Sequence, residues 1–198
     1  MNRLIVDILK RALLLPLLLA SLNARSAQIE GQNFDDRIQL ADSELVLNGL
    51  GLRARFWIKG YAAGLYLTAK AATAEQVIGT AGPKRIRLKM MLEVEAKEFV
   101  KAIDVGVRRN SSEAQLLALK DRLAQFEHNV ALIGTVKKGD VINLDFIPEQ
   151  GLVLMLNGKP RGEPIAGEDL YAGVLKIFVG ELPVDKNLKA GLLGGASH

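Results

Sequence analysis

The sequence predicts an α+β fold, in which helices cover one face of an antiparallel sheet. Segments of alternating apolar and polar residues occur in pairs separated by turn residues, which is typical of β-hairpins. Longer segments with apolar residues at helical spacing lie between these pairs and after them. The 198 residues, of which 49% are hydrophobic and 24% charged, suit one domain with a substantial core. Together these observations favour a single α+β domain.

The N-terminal segment has a different pattern from the rest of the chain. Residues 1–27 combine a basic N-terminal region, a short apolar run at Ala12–Leu22 and small residues at the expected cleavage region. Together these features indicate a secretory signal peptide. The run is short for a membrane span and contains Pro16. We therefore expect a signal peptide at residues 1–27, one domain at residues 28–198, and a periplasmic or secreted bacterial protein with no stable membrane span after cleavage. A retained membrane anchor is the alternative.

Charge and composition exclude several classes of function. The chain carries a formal net charge of +4, but three of these charges belong to the predicted signal peptide, so we expect no nucleic-acid partner. The absence of cysteine excludes thiol catalysis and thiolate metal sites. With only His128 and His198 present, neither a zinc site nor a Ser-His-Asp triad is expected. We predict no metal and no cofactor.

Two strands and a short helix are predicted in the first half of the domain. The segment "SELVLNG" predicts a short strand that ends at an Asn48-Gly49 turn. The aromatic-rich segment Arg53–Leu67 also predicts a strand, in which Trp57 is expected to be a packing residue. Thr73 then has the residue type and position of an N-cap for a short helix.

A strictly alternating segment, "PKRIRLKMML", predicts the next strand. Arg85, Arg87 and Lys89 point to one face, and the apolar residues between them point to the other. We expect the basic face to be solvated, as on an ordinary antiparallel sheet. A patch for an anion or a lipid headgroup is the alternative.

The second half of the domain alternates between helices and strands. Helices are predicted by apolar residues at helical spacing, and strands by short apolar runs between turns. The elements follow in this order: a helix at Glu95–Arg109, a helix from Ser112 towards Val130, strands at Val141–Ile147 and Leu152–Leu156, an amphipathic helix after Pro164 that is closed by Gly180, and a short helix with Asp185 as its N-cap.

Several segments together resemble the chalcone isomerase-like family, and in particular its exported bacterial branch. They are "LNGLGLR", "KGYAAGLYL", a helix beginning "AKEF", and "LKIFVGELPVDKNLKAGLLG". The resemblance covers residues 45–194. It implies an open-faced β-sandwich, in which a large antiparallel sheet carries helices with a cleft between them.

The resemblance also locates the family's catalytic positions. The family's arginine corresponds to Arg53, but four further polar positions are occupied by Tyr61, Phe99, Gly106 and Ile177. Ring closure of a chalcone is accelerated by oriented hydrogen-bond donors. The loss of most of these donors therefore argues against that reaction. We therefore assign no catalytic residue.

With these substitutions, the sequence resembles the family's non-catalytic branch, whose members bind fatty acids and hold the carboxylate with an arginine–tyrosine pair. The implied pair here is Arg53 and Tyr61, which are eight residues apart and would lie about 26 Å apart in one extended strand. They can share a ligand only if the chain reverses near Phe56–Ile58. The predicted ligand-binding set, which adds a second candidate cation and an apolar wall, is Arg53, Tyr61, Lys59, Phe99, Ile103, Gly106 and Ile177.

The leading hypothesis is thus an exported, non-catalytic binder of a fatty acid or a similar hydrophobic carboxylate. The alternative is an intramolecular lyase or isomerase, with Arg53 as electrostatic stabiliser and Tyr61 as proton donor. A third reading is an interaction module of the cell envelope whose cleft is filled. For Arg53, a structural ion pair with Asp145 or Glu93 has comparable weight to a role in ligand binding.

Overall fold

The computed structural model describes residues 26–195. The predicted signal peptide therefore lies almost wholly outside the described residues. Eleven strands and five helices are described: β1 (Ser26–Ile29), β2 (Gln32–Asp35), β3 (Arg37–Leu40), β4 (Ser43–Arg55), β5 (Ile58–Leu67), α1 (Ala74–Gly79), β6 (Lys84–Met90), β7 (Val94–Glu95), α2 (Ala96–Arg109), α3 (Glu113–Ala131), β8 (Thr135–Val136), β9 (Val141–Ile147), β10 (Gly151–Leu156), β11 (Lys159–Pro160), α4 (Glu168–Val179) and α5 (Lys186–Leu192).

A seven-stranded antiparallel sheet forms the centre of the molecule. Its strand order is β11-β10-β9-β6-β5-β4-β3, and every neighbouring pair is antiparallel. Helices α2, α3 and α4 pack together, and their apolar side chains share the main core with one face of the sheet. The predicted α+β fold, with an antiparallel sheet covered by helices, is confirmed.

The helices begin where the sequence places capping residues. Thr73 and Ser112 each form a capping box with the residue three positions later, which satisfies backbone N–H groups that the first turn leaves free. The Asp185 side chain accepts hydrogen bonds from the backbone N–H groups of Asn187 and Leu188 at the start of α5. Local chemistry therefore sets these boundaries.

Strand β4 is longer than the sequence predicts. The Asn48-Gly49 pair was expected to end the strand, but β4 continues through it to Arg55. Asn48 is buried, and its side chain donates hydrogen bonds to the carbonyl groups of Ala71 and Leu192 and accepts one from the Ala71 N–H. The Asn-Gly signal failed because this asparagine ties distant segments together instead of turning the chain.

The basic face of β6 is covered, so the expectation of a solvated face was wrong. Arg85 is only 9% exposed and forms two hydrogen bonds with Asp145, from Nε to Oδ1 at 2.6 Å and from Nη2 to Oδ2 at 2.5 Å. Lys89 Nζ lies 4.9 Å from the centre of the Phe34 ring, which the β1–β2 hairpin contributes. A second, smaller core that includes Phe34 and Tyr66 fills this side of the sheet.

Candidate ligand-binding site

The β4–β5 hairpin brings Arg53 and Tyr61 together. The chain reverses at Phe56 and Trp57, so that Arg53 lies directly opposite Tyr61 on the neighbouring strand. Directly opposite residues in an antiparallel pair project to the same face of the sheet. The reversal that the sequence hypothesis required near Phe56–Ile58 is therefore present.

A cavity of about 350 Å³ lies between this face of the sheet and the helices α2, α3 and α4. Its volume is in the range of small-molecule pockets, about 300–1,000 Å³. Most of the wall is apolar and includes Met90, Leu144, Phe99, Ile103, Ile177 and Phe178. The polar side chains of the wall are Arg53, Arg55, Tyr61 and Glu98.

The opening of the cavity lies between the tip of the β4–β5 hairpin and helix α2. The exposed residues of the wall mark it: Arg55 and Ile58 on the hairpin, and Glu98 and Ala102 on the helix. The polar wall residues Arg55 and Glu98 are at this opening, so charge is concentrated at the mouth and the interior is apolar.

Arg53 has an acidic partner, but neither of the two that the sequence suggested. Its Nη1 lies 3.1 Å from Oδ2 of Asp185 and also donates to the carbonyl of Ala54. Asp145 pairs with Arg85 instead. The Arg53 side chain keeps 29% of its surface exposed. Arg53 therefore both forms an ion pair and lines the cavity.

Tyr61 provides a protonated hydroxyl beside this pair. Burial raises the pKa of the phenol well above its ordinary value, and the Asp185 carboxylate adds to the rise, although Arg53 opposes it. Tyr61 therefore remains a neutral hydrogen-bond donor throughout the pH range in which proteins are normally studied.

Two residues of the predicted set, Lys59 and Gly106, are not among the described residues that line the cavity. Gly60 is an extra residue of β5 that breaks the alternation, because Tyr61 pairs with Arg53 while Lys59 pairs with the next residue, Ala54. Lys59 consequently does not share a face with Tyr61, and its Nζ lies 2.5 Å from Oε2 of Glu30. The structure does not support Lys59 as the second cation.

Gly106 serves helix packing. A Cβ atom at this position would lie 2.9 Å from the Ile177 side chain, so the glycine lets α2 and α4 approach closely. Phe99, Ile103 and Ile177 do line the cavity, as the sequence hypothesis placed them. Of the predicted set, the structure thus brings Arg53, Tyr61, Phe99, Ile103 and Ile177 together.

A model of the family described as chalcone isomerase-like matches residues 26–194. The chain belongs to the chalcone isomerase-like family. A comparison with the sequences of curated proteins finds no match. The family identified from the sequence is confirmed, while its exported bacterial branch stays a prediction.

A solved structure with the same fold is that of a fatty-acid binding protein from Arabidopsis thaliana. The two chains are 20% identical, with a TM-score of 0.65, and the match covers 85% of this chain and 96% of the plant protein. This similarity shows that the chalcone isomerase-like chain shares the fold of the plant protein. None of the described helices is long and apolar enough to cross a membrane.

Sequence reasoning missed three charged residues of this chalcone isomerase-like site. Asp185 was recognised only as a helix cap, and its contact with Arg53 joins positions 132 residues apart. Arg55 and Glu98 were read as parts of a strand and a helix. The chain reversal that a shared ligand requires near Phe56–Ile58 was the available signal for Arg55, which directly precedes it. Nothing local indicates that Glu98 faces the same opening.

Proposed function

We propose that this protein is an exported, non-catalytic binder of a fatty acid or a similar amphipathic carboxylate. One observation carries the proposal: Arg53 and Tyr61 lie opposite each other in the wall of a cavity whose interior is otherwise mainly apolar. The solved plant relative named above, described as a fatty-acid binding protein, adds support because it shares the fold.

The carboxylate would be held by two kinds of donor. A guanidinium carries five N–H donors, and the contacts with Asp185 and Ala54 use only Nη1 of Arg53, so the N–H groups of Nη2 and Nε remain available for a carboxylate. Tyr61 adds an O–H donor that stays protonated. Asp185 also helps to orient Arg53, because the carboxylate is itself fixed as the cap of α5.

The hydrocarbon tail would extend into the apolar interior. Phe99 and Ile103 from α2 and Ile177 from α4 face strand residues across the cavity. Burial of methylene groups there contributes about 0.8 kcal/mol for each CH₂ that leaves water. Apolar burial would therefore supply most of the affinity, and the polar end would select a carboxylate.

The direct test is to purify the protein, extract it with organic solvent and identify bound lipids by mass spectrometry. For Arg53→Ala, we expect binding of an added fatty acid to weaken about 30-fold, because a hydrogen-bonded charge is lost. Calorimetric titration measures this change. The matched control is Arg37→Ala, which removes an exposed arginine of another acid pair, with Glu44. An empty protein, or equal affinities in the two variants, would contradict the proposal.

The second candidate function is an isomerase or intramolecular lyase acting on a hydrophobic substrate. It is favoured by the neutral phenol of Tyr61 beside a guanidinium, since the pair could donate a proton and stabilise negative charge. Phe99 and Ile177 are apolar and Gly106 has no side chain, so these positions supply no side-chain hydrogen-bond donor. Their lack of donors weighs against catalysis. Turnover of a chalcone that Tyr61→Phe abolishes would favour this candidate over a simple binder.

We also propose export through a signal peptide, as the sequence predicts for a bacterial branch of the family. Strand β1 begins at Ser26, and its residues pair with β2 from Ser26↔Asp35 to Ile29↔Gln32. Cleavage after Ala24 leaves β1 complete, whereas cleavage after Ala27 removes half of it. The intact mass of the protein recovered from the periplasm or medium tests this proposal, and a full-length mass there would overturn it.

A further inference from the structure

Two aromatic residues at the tip of the β4–β5 hairpin have no packing role. Phe56 is 83% exposed and Trp57 is 86% exposed, the highest values among the large exposed hydrophobic residues of residues 26–195. We call these two residues the aromatic turn. The centres of the two rings lie 6.0 Å apart. Because Trp57 is so exposed, the expectation that it is a packing residue was wrong. The fold gives neither ring a buried environment.

The backbone of the aromatic turn is unfavourable for its residue type. Phe56 has a φ angle of +56°, in the left-handed region that glycine adopts far more easily than a bulky side chain. It is also the first residue of a two-residue hairpin turn, where glycine is common. A phenylalanine here therefore lowers stability and exposes apolar surface. Strain of this kind is found mainly where function requires a particular side chain.

The aromatic turn lies at the opening of the cavity. Its neighbours on either side, Arg55 and Ile58, both line the cavity and are both exposed. The Arg55 guanidinium lies 6.0 Å from the centre of the Phe56 ring. The tip therefore combines two aromatic rings, an aliphatic side chain and a cation beside the entrance to an apolar interior.

This combination matches the chemistry of a lipid bilayer surface. Tryptophan and other aromatic rings partition to the interface between headgroups and acyl chains, and nearby arginine and lysine side chains interact with anionic headgroups. A protein partner fits less well: two aromatic side chains present about 300–500 Å² in total, whereas a stable protein interface buries about 800 Å² on each partner.

We propose that the aromatic turn inserts into the interfacial region of a lipid bilayer and thereby brings the cavity opening to the membrane surface. A fatty acid-like ligand then moves between bilayer and cavity without crossing bulk water. The docking step is independent of the cavity's contents, while the transfer step rests on the proposed function.

Trp57 makes the docking directly measurable, because it is the only tryptophan of the chain. The full chain is mixed with vesicles of phosphatidylethanolamine and phosphatidylglycerol, and the tryptophan emission is recorded. We expect a shift to shorter wavelength and quenching by lipids brominated on the upper acyl chain. An unshifted and unquenched emission at saturating lipid overturns the proposal.

The variant Phe56→Gly removes one ring and keeps the reporter. We expect vesicle binding to weaken about fivefold to tenfold, because part of the inserted apolar surface is lost. The midpoint of unfolding should stay the same or rise, since glycine accepts the backbone angle. The control is Leu117→Ala, which removes an apolar side chain that is 77% exposed on α3, outside the cavity wall. The unchanged protein, Phe56→Gly and Leu117→Ala all carry the same N-terminal segment. A difference in vesicle binding between them is therefore due to the substituted residue.

Two measurements separate this proposal from the proposed function. Titration of Phe56→Gly with dissolved decanoate, without vesicles, should give the affinity of the unchanged protein. Decanoate binding without any vesicle effect on Trp57 would uphold the proposed function and overturn docking. Insertion of Trp57 without decanoate binding would uphold docking and overturn the proposed function. Equal vesicle binding by Phe56→Gly and the unchanged protein would overturn the role of the aromatic turn.

Discussion

At the scale of single residues, Arg53 and Asp185 set the charge balance beside Tyr61. The Arg53 guanidinium is paired with the Asp185 carboxylate, whose Oδ2 lies 3.1 Å from Nη1. A bound ligand would bring a second carboxylate to the same guanidinium, and the two negative charges would repel each other. Such a site favours moderate affinity and release over permanent retention of its ligand.

This balance gives a prediction for Asp185→Asn. Asparagine can still cap α5, but it carries no charge, so the repulsion of the ligand carboxylate disappears. We expect the affinity for decanoate to rise about threefold to tenfold. Titration calorimetry at low ionic strength checks the value.

The matched control is Asp169→Asn, which removes an aspartate in the first turn of α4 that, like Asp185, forms an ion pair with an arginine. That pair, with Arg122, lies outside the cavity wall, so the affinity should not change. A weaker affinity in Asp185→Asn would contradict this prediction and show that orientation of Arg53 by the Asp185 charge outweighs its repulsion of the ligand carboxylate.

At the scale of secondary-structure elements, local signals predict local features and fail for contacts between distant segments. Thr73, Ser112 and Asp185 predict helix starts because a cap bonds residues two or three positions away. Asn48 was misread because its partners, Ala71 and Leu192, are far away in the sequence. Lys59 was placed in the predicted ligand-binding set because nothing local indicates that Gly60 is an extra residue, which turns Lys59 away from the face of Tyr61.

The hydrogen bonds of Asn48 give a prediction for the attachment of α5 to β4. Asn48→Ala removes three hydrogen bonds and leaves buried backbone groups of Ala71 and Leu192 without partners. We expect the free energy of unfolding to fall by about 3 kcal/mol. Urea denaturation measures it. A decrease below about 1 kcal/mol would mean that water replaces the lost amide.

At the scale of the whole molecule, the sequence predicts the layers but not the space between them. Apolar residues such as Phe99, Ile103 and Ile177 show the same helical spacing whether they pack tightly or surround a hollow. The family resemblance supplied the expectation of a cleft, and the assembled sheet and helices show a cavity of about 350 Å³ there. Its existence depends on how three helices meet the sheet, which no single segment of the chain encodes.

The cavity can be tested by filling it. Ile103→Trp adds volume where the structure has empty space, so overpacking should be small and the free energy of unfolding should change by less than about 1 kcal/mol. We expect the affinity for a long-chain fatty acid to fall more than about tenfold. Fluorescent fatty-acid displacement measures the affinity, and urea denaturation measures the stability.

The control for this variant is Leu117→Trp, which adds the same side chain at an exposed position on α3. Leu117→Trp should change neither the affinity for the fatty acid nor the free energy of unfolding. If Ile103→Trp lowered stability by several kcal/mol, the helices would be packed more tightly against the sheet than the cavity volume implies.

The extra residue at Gly60 has a consequence for how such hairpins can diversify. With Gly60 in place, a phenol faces the interior and an ammonium group faces outward to Glu30. If the two strands paired in simple alternation, Gly60 would lie opposite Arg53, and Tyr61 would share the face of Lys59 instead of the face of the guanidinium. The meeting of a cation and a phenol is thus encoded in the position of one extra residue as much as in the two side chains, and a shift of that residue along the hairpin could separate the two groups without substituting either.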